Sequence, residues 1–177
     1  MRYILEKCNF LIEKKSINIT IGAVDMDLAL KTWVSIHGIP ASFYAVSKWV
    51  DESISKSIYV DGVAVGVYLL GTTGISEIMD YFSRAPIKQT PLEDLSKYDN
   101  KKALHGIHLA VLPEYKGKGL GKKLIKYSES IDFEYIWGTH HVFLNNREHW
   151  EKRRRVVVEI KGNVRENDGF YTLKDLK

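Results

Sequence analysis

Apolar positions along this chain change period several times, and each change marks an element. Residues 17–24 (INITIGAV) are β-branched and alternate in part, which predicts a strand. The segment DMDLALKTWVSIHG follows, with Leu28, Trp33 and Ile36 near one helical face. Asp25 or Asp27 can cap its start, and Gly38 ends it. Pro40 opens a second short helix in which Phe43, Val46 and Val50 recur at helical spacing. Two runs of β-formers flank Asp61-Gly62 within residues 57–71. That pattern predicts a hairpin, because a type I′ turn needs positive φ at both central residues. Residues 104–112 (LHGIHLAVL) read as a buried strand that Pro113 ends. Leu120, Leu124, Tyr127 and Ile131 then share one helical face, with Lys122, Lys123 and Lys126 largely off it. FEYIW at 133–137 predicts a strand, NREHWEKRR a short polar helix, and RVVVEI and GFYTL two closing strands. The order is β-α-α-β-β-insert-β-α-β-α-β-β. Strands alternating with helices predict a mixed α/β or α+β sheet, in a single domain over residues 1–177.

The insert, residues 72–103, departs from this rhythm. It holds Pro86, Pro91 and many polar residues, with one short helix around Ile75–Phe82. It is too long for a plain hairpin loop, and long loops are often lids or binding loops.

Composition narrows the class. With 45% apolar and 27% charged residues, the chain is globular and not disordered or collagen-like. No apolar run approaches the roughly 20 residues of a membrane span. Glu6 and Glu13 interrupt the N-terminal stretch, so it does not read as a signal peptide. Cys8 stands alone, which rules out an internal disulfide or a cysteine-rich zinc site. These features predict a soluble cytoplasmic protein. A net charge of +4 suits phosphate-bearing partners without naming one.

The chemistry concentrates in residues 109–124, LAVLPEYKGKGLGKKL. A strand runs into a loop with Gly117, Gly119 and Gly121, and a helix starts there. Glycines let backbone amides approach a ligand closely. The first amides of a helix have no internal partner, and the macrodipole favours negative charge beside them. Together they make a pyrophosphate cradle, with Lys116, Lys118 and Lys122 adding positive charge around it. The pattern is neither a Walker loop nor the dinucleotide fingerprint.

The run VLPEYKGKGLGKKLI resembles the acetyl-CoA signature of the GNAT superfamily, the GCN5-related N-acetyltransferases, whose core is Gln/Arg-x-x-Gly-x-Gly/Ala. Lys116 takes the Gln/Arg position, a departure, and Gly119 and Gly121 take the two small positions. The Asp-Gly hairpin, the strand at 104–112 and the two early helices match the family order. The resemblance implies a GNAT fold: a mixed, mostly antiparallel twisted sheet with a central V-shaped split, flanked by helices. It implies acetyl-CoA as co-substrate, with an amine of a small molecule or protein attacking the thioester directly.

The resemblance also implies site roles. Leu109, Ala110, Val111 and Leu112 would offer backbone groups to pantetheine and the thioester oxygen. The amides of Gly117, Lys118, Gly119, Leu120, Gly121 and Lys122 would hold the pyrophosphate. In one branch of the family a glutamate base lies eleven positions before the Gln/Arg position, and counting back from Lys116 gives His105. Histidine ordinarily titrates near 6.5 and suits proton transfer at neutral pH. By period two, His105, Ile107, Leu109 and Val111 share one strand face, and His108, the other candidate base, faces away. Asn145 or Asn146 fills a family asparagine position in LNNREHWEKRRRVV. No tyrosine follows to serve as general acid, and Trp150 sits near that place. Thiolate protonation then falls to water, His149 or Tyr127.

Other clusters carry two readings each. His140, His141 and His149 with Glu148 lack metal-ligand spacing, and read as polar loop residues or as part of the acceptor site. Arg147, Lys152, Arg153, Arg154, Arg155, Lys161 and Arg165 surround Trp150. They make a solvated face with a few contacts to the 3′-phosphate of CoA, or a surface that tracks nucleic acid. The nucleic-acid reading makes the acceptor a tRNA-linked amine or a DNA base. A CoA-binding or DNA-binding module without turnover is the reading from another class. The insert lies over the acceptor side, where Tyr81, Phe82 and Arg84 can touch substrate, or is a variable surface segment. Homodimers are frequent among proteins resembling this one.

Overall fold

The computed structural model describes residues 17–38, 40–141, 144, 146–162 and 168–177. In chain order the elements are β1 (Ile19–Gly22), α1 (Met26–His37), α2 (Pro40–Ser47), β2 (Lys56–Val60), β3 (Val63–Gly71), α3 (Ile75–Tyr81), β4 (Ile87–Pro91), β5 (Ala103–Val111), α4 (Leu120–Glu129), β6 (Tyr135–His141), α5 (Arg147–Glu151), β7 (Arg155–Gly162) and β8 (Gly169–Asp175). Local signals set most boundaries. Helix α1 starts where the Asp25 carboxylate accepts from the Leu28 amide at 2.8 Å, and stops where Gly38 takes φ 72°. The β2–β3 turn has φ 49° at Asp61 and 83° at Gly62, as the hairpin motif requires.

The strands form one sheet in the order β1-β2-β3-β5-β6-β8-β7-β4. Every neighbouring pair is antiparallel except β5–β6. Helices α1 and α2 cover one side, where Ala29, Trp33 and Phe43 pack on Val67, Leu69 and Ala110. Helix α4 packs Leu120, Leu124 and Ile125 against Ile58, Leu70, Leu104, Ile136 and Phe170. Helix α3 adds Ile75 and Ile78 to a third cluster with Tyr135, Trp137 and Tyr171.

Two irregularities in β5 position the site. Its parallel pairing with β6 covers only Ala103–Gly106 against Tyr135–Gly138, although β5 runs on to Val111 and β6 to His141. The two central strands therefore part beyond Gly106, giving the V-shaped split. In the β3–β5 ladder, Leu69 faces His108 and Leu70 faces Gly106, so Ile107 is an extra residue, a β-bulge.

Three expectations change. The insert holds the expected short helix as α3, and in addition a strand, β4, which pairs with β7 at the sheet edge through Ile87↔Gly162 to Pro91↔Val158. Strand β6 reaches His141, so His140 and His141 are strand residues and not loop residues. The alternation along β5 fails. Ile107 and Ala110 pack with the α1–α2 cluster, whereas Leu109 and Val111 pack with the α4 cluster, because the bulge shifts the period by one.

Candidate active site

Where β5 and β6 part, a cavity of about 440 Å³ opens. Helices α1 and α2 contribute Trp33, His37 and Val46 to its wall, and the insert contributes Ile78, Tyr81, Phe82 and Ile87. The strands contribute His105, His108, His140 and His141. Among the described residues its lining holds no Asp, Glu or Lys, and Arg154 is its one charged group. The cavity is thus aromatic and imidazole-rich, with no fixed negative charge.

Burial controls these imidazoles. His105 is 5% exposed, stacks on Trp137 with ring centroids 4.0 Å apart, and has a buried Nδ1 without a hydrogen-bond partner among the described residues. Desolvation pulls its pKa down to about 3. The Nε2 of His108 lies 2.9 Å from the Thr32 hydroxyl, and burial with His37 nearby brings it to about 4. His37 also falls to about 4, through burial and His141. His140 bonds the Thr172 hydroxyl at 2.8 Å and sits at about 3, through burial first and then Arg154. All four are neutral at pH 7. The bulge brings His105 and His108, three positions apart, to the one cavity, which strict alternation would have separated. The premise that His105 titrates near 6.5 does not hold in this environment.

The glycine loop has the geometry its residues call for. Gly117 and Gly119 both take φ 76°, with open space around the position of a Cβ. Gly119 is the N-cap of α4 and carries no side-chain cap, so the helix presents bare amides there. The first loop-to-helix bond is from the Lys123 amide to the Gly119 carbonyl. The amides from Gly117 to Lys122 have no backbone acceptor among the described residues. Leu120 is buried and anchors the helix start, while Lys116, Lys118 and Lys122 are exposed. The Leu112 amide donates to the Val65 carbonyl at 2.8 Å and its carbonyl accepts from the Tyr115 amide at 2.9 Å.

The family model for the acetyltransferase (GNAT) family matches residues 27–154, nearly three quarters of the chain. The chain belongs to the GNAT acetyltransferase family. No curated protein matches it in sequence. Solved GNAT-like structures share its fold at low identity. Arabidopsis thaliana NAA60 in complex with a bisubstrate analogue is 18% identical, with TM-score 0.56 over 89% of this chain and 98% of that one. Arabidopsis thaliana Naa50 in complex with the bisubstrate analogue CoA-Ac-MVNAL is 13% identical, with TM-score 0.54 over 88% and 97%. The loading GNATL domain of CurA from Lyngbya majuscula is 9% identical, with TM-score 0.59 over 90% and 98%.

For this GNAT chain, the candidate acids fall elsewhere than the cavity. The Tyr127 hydroxyl donates to the Ile54 carbonyl at 3.2 Å, and exposed His149 is not part of the cavity wall. A tyrosine does reach it, from β3: Tyr68 is 2% exposed, and its hydroxyl accepts from the Arg154 guanidinium at 3.3 Å. Neither residue lies in a motif. They stand 86 positions apart, and only the sheet order joins them. Asn145 and Arg165 lie outside the described residues, as does the Arg84 side chain. Asn146 and Trp150 line the cavity, Trp150 with its ring 4.4 Å from that of His140.

The basic C-terminal stretch is largely neutralised. Arg147 meets Glu151 and Glu159 at 2.7 Å, Lys152 meets Glu148 at 2.6 Å, Arg155 meets Asp175 at 2.8 Å, and Lys161 meets Asp168 at 2.9 Å. Arg153 donates to the His149 carbonyl. No described helix is long and apolar enough to cross a membrane. No group of His, Cys, Asp or Glu suited to a metal ion occurs among the described residues.

Proposed function

We propose that the protein is an N-acetyltransferase that moves the acetyl group of acetyl-CoA to an amine by direct attack. The observation that carries this reading is one continuous unit. Strand β5 parts from β6 at the cavity, then runs through the glycine loop into α4. The amides of Gly117–Lys122 suit the pyrophosphate of the donor. The unpaired edge of β5 beyond Gly106, through Leu109, Ala110 and Val111, suits pantetheine, whose amides can add to it as a strand would. The acceptor approaches from the side of α1, α2 and the insert. His105, whose Nδ1 has no partner among the described residues, accepts a hydrogen bond from the amine and relays its proton to water; His108 lines the same cavity.

A cavity wall without Asp or Glu among the described residues disfavours polycationic acceptors and favours an amine on an aromatic or apolar frame. The ion-paired basic face weakens the nucleic-acid reading, since those cations already have partners.

Transfer of radiolabel from acetyl-CoA into protein, small-molecule and nucleic-acid pools of a lysate tests this. Enzyme-dependent label in the protein or small-molecule pool is expected. Label confined to nucleic acid would restore that acceptor, and no label in any pool would sink the catalytic reading. Gly119→Val forces a β-branched residue into left-handed backbone, and should weaken CoA binding by about tenfold or more. Unchanged affinity, read by calorimetry, would remove the cradle.

A further inference from the structure

Arg154 is a buried cation in search of an anion. It is 3% exposed, and its Nε is buried without a partner among the described residues. Among the described residues the only hydrogen bond of its guanidinium runs to the Tyr68 hydroxyl, and the guanidinium carbon sits 5.0 Å over the Trp150 ring. No described carboxylate pairs with it, and none lines the cavity. Removing a charge from water without a counter-charge is strongly unfavourable, so a fold that keeps such a group keeps it for something that arrives with negative charge.

The place of that charge is set by two glycines. Gly106 and Gly138 are the last pair before β5 and β6 part. A Cβ on Gly138 would lie 3.7 Å from Arg154 Nη1, and a Cβ on Gly106 would lie 2.5 Å from the Tyr68 hydroxyl oxygen. Both groups therefore stand at the apex of the fork. Tyr68 and Trp150 belong to the cluster packed on α4, the helix whose N-terminus is the amide cradle. His105 stacks on Trp137 in the α3 cluster, and His108 bonds Thr32 of α1. A donor held by α4 thus meets Tyr68 and Arg154, and an acceptor meets His105 and His108.

We propose that Tyr68 and Arg154 receive the leaving thiolate of the acyl donor, Arg154 holding its charge and Tyr68 giving it a proton. The inference rests on the acetyl-CoA reading. The amine nitrogen bonds to the carbonyl carbon, the adduct breaks its C–S bond, and the electron pair stays on sulfur. The Tyr68 oxygen already accepts from Arg154, and its own hydrogen has no acceptor among the described residues. That hydrogen passes to sulfur, giving the free thiol of CoA. The phenolate keeps the Arg154 hydrogen bond until the proton shed by the amine nitrogen returns to it through water. Nothing else is consumed. Arg154 supplies the charge stabilisation and Tyr68 the hydrogen, in place of the absent helix tyrosine.

The test compares CoA with desulfo-CoA, which lacks only the sulfur, as ligands of the whole protein from pH 6 to 9.5. The groups facing the apex are Tyr68 on β3, His105 on β5, His140 on β6 and Arg154; His141 and His149 act on His140 from farther away. His105 and His140 stay neutral throughout, with values of about 3. Any other protein titration touches both ligands alike. A cation against the sulfur favours the thiolate, so the two affinities should match at pH 6 and CoA should gain about tenfold over desulfo-CoA at pH 9.5. Arg154→Met should abolish that gain, and Arg154→Lys should restore part of it. Tyr68→Phe should keep the gain and the CoA affinity at pH 6, yet lower label transfer at least about tenfold. An affinity ratio flat with pH in the unaltered protein overturns the proposal and leaves the donor reading standing. If neither ligand binds, both fall. Unchanged transfer in Tyr68→Phe removes the proton-donor role.

Discussion

Burying an imidazole keeps it neutral, and this has a consequence for folding. His105, His108 and His140 take values of about 3, 4 and 3 in the folded chain, against 6.5 when unfolded. Between those values the unfolded chain binds protons that the folded one refuses. Stability from these groups is complete above pH 6.5 and is lost as pH falls toward 4 for His108 and toward 3 for His105 and His140. At pH 5 each costs about 2 kcal/mol, from 1.36 kcal/mol per pH unit over 1.5 units. Urea unfolding at pH 7 and pH 5 should therefore show a loss of several kcal/mol, and equal midpoints would contradict the buried, neutral imidazoles. The candidate bases His105 and His108 were legible as residues, because one precedes the glycine signature at a telling distance. Their shared cavity was not, since period-two reasoning assumes an unbroken ladder and Ile107 breaks it. Tyr68 and Arg154 were illegible for a different reason: neither carries a local signal, and their meeting is a product of strand order.

Among the elements, signals that act over a few residues were read correctly. The Asp25 cap, the Gly38 stop and the Asp61-Gly62 turn each use chemistry contained in the segment itself. Strand β4 was missed because Ile87–Pro91 has weak strand character of its own. It is held from outside, by β7 and by the Tyr171 hydroxyl donating to Gln89 at 2.8 Å. The fork has an equally specific requirement. A Cβ on Gly138 would stand 2.9 Å from the Gly106 carbonyl oxygen, a backbone atom that cannot rotate away. Gly138→Ala should destabilise the fold by about 1–3 kcal/mol, measured by denaturant unfolding. Gly121→Ala is the contrast. Its nearest neighbour would be Val111 Cγ2 at 3.7 Å, an ordinary contact, and a helical alanine should hold or raise stability by up to about 1 kcal/mol. Equal losses in the two variants would show that the fork tolerates wider spacing than the backbone contact implies.

Over the whole molecule, charge and shape divide the work. Among the described residues the C-terminal cations do not gather into a free basic surface; carboxylates of α5, β7, β8 and the β7–β8 connection meet most of them. Exposed pairs of this kind add little stability, so their main effect is to quiet that face. The split sheet has another consequence, visible in time and not in space. Past Gly106 and Gly138, the facing edges of β5 and β6 have no hydrogen-bonded strand on that side among the described residues, while β3 and β8 still brace them from outside. Half of the backbone hydrogens in those short stretches should trade with deuterated solvent quickly in the free protein. A bound CoA that adds to the β5 edge would slow that trade in segments 107–111 and 139–141 and leave β2 and β7 nearly untouched. Deuterium uptake followed with and without CoA would then register the sheet being completed by its own substrate, one edge at a time.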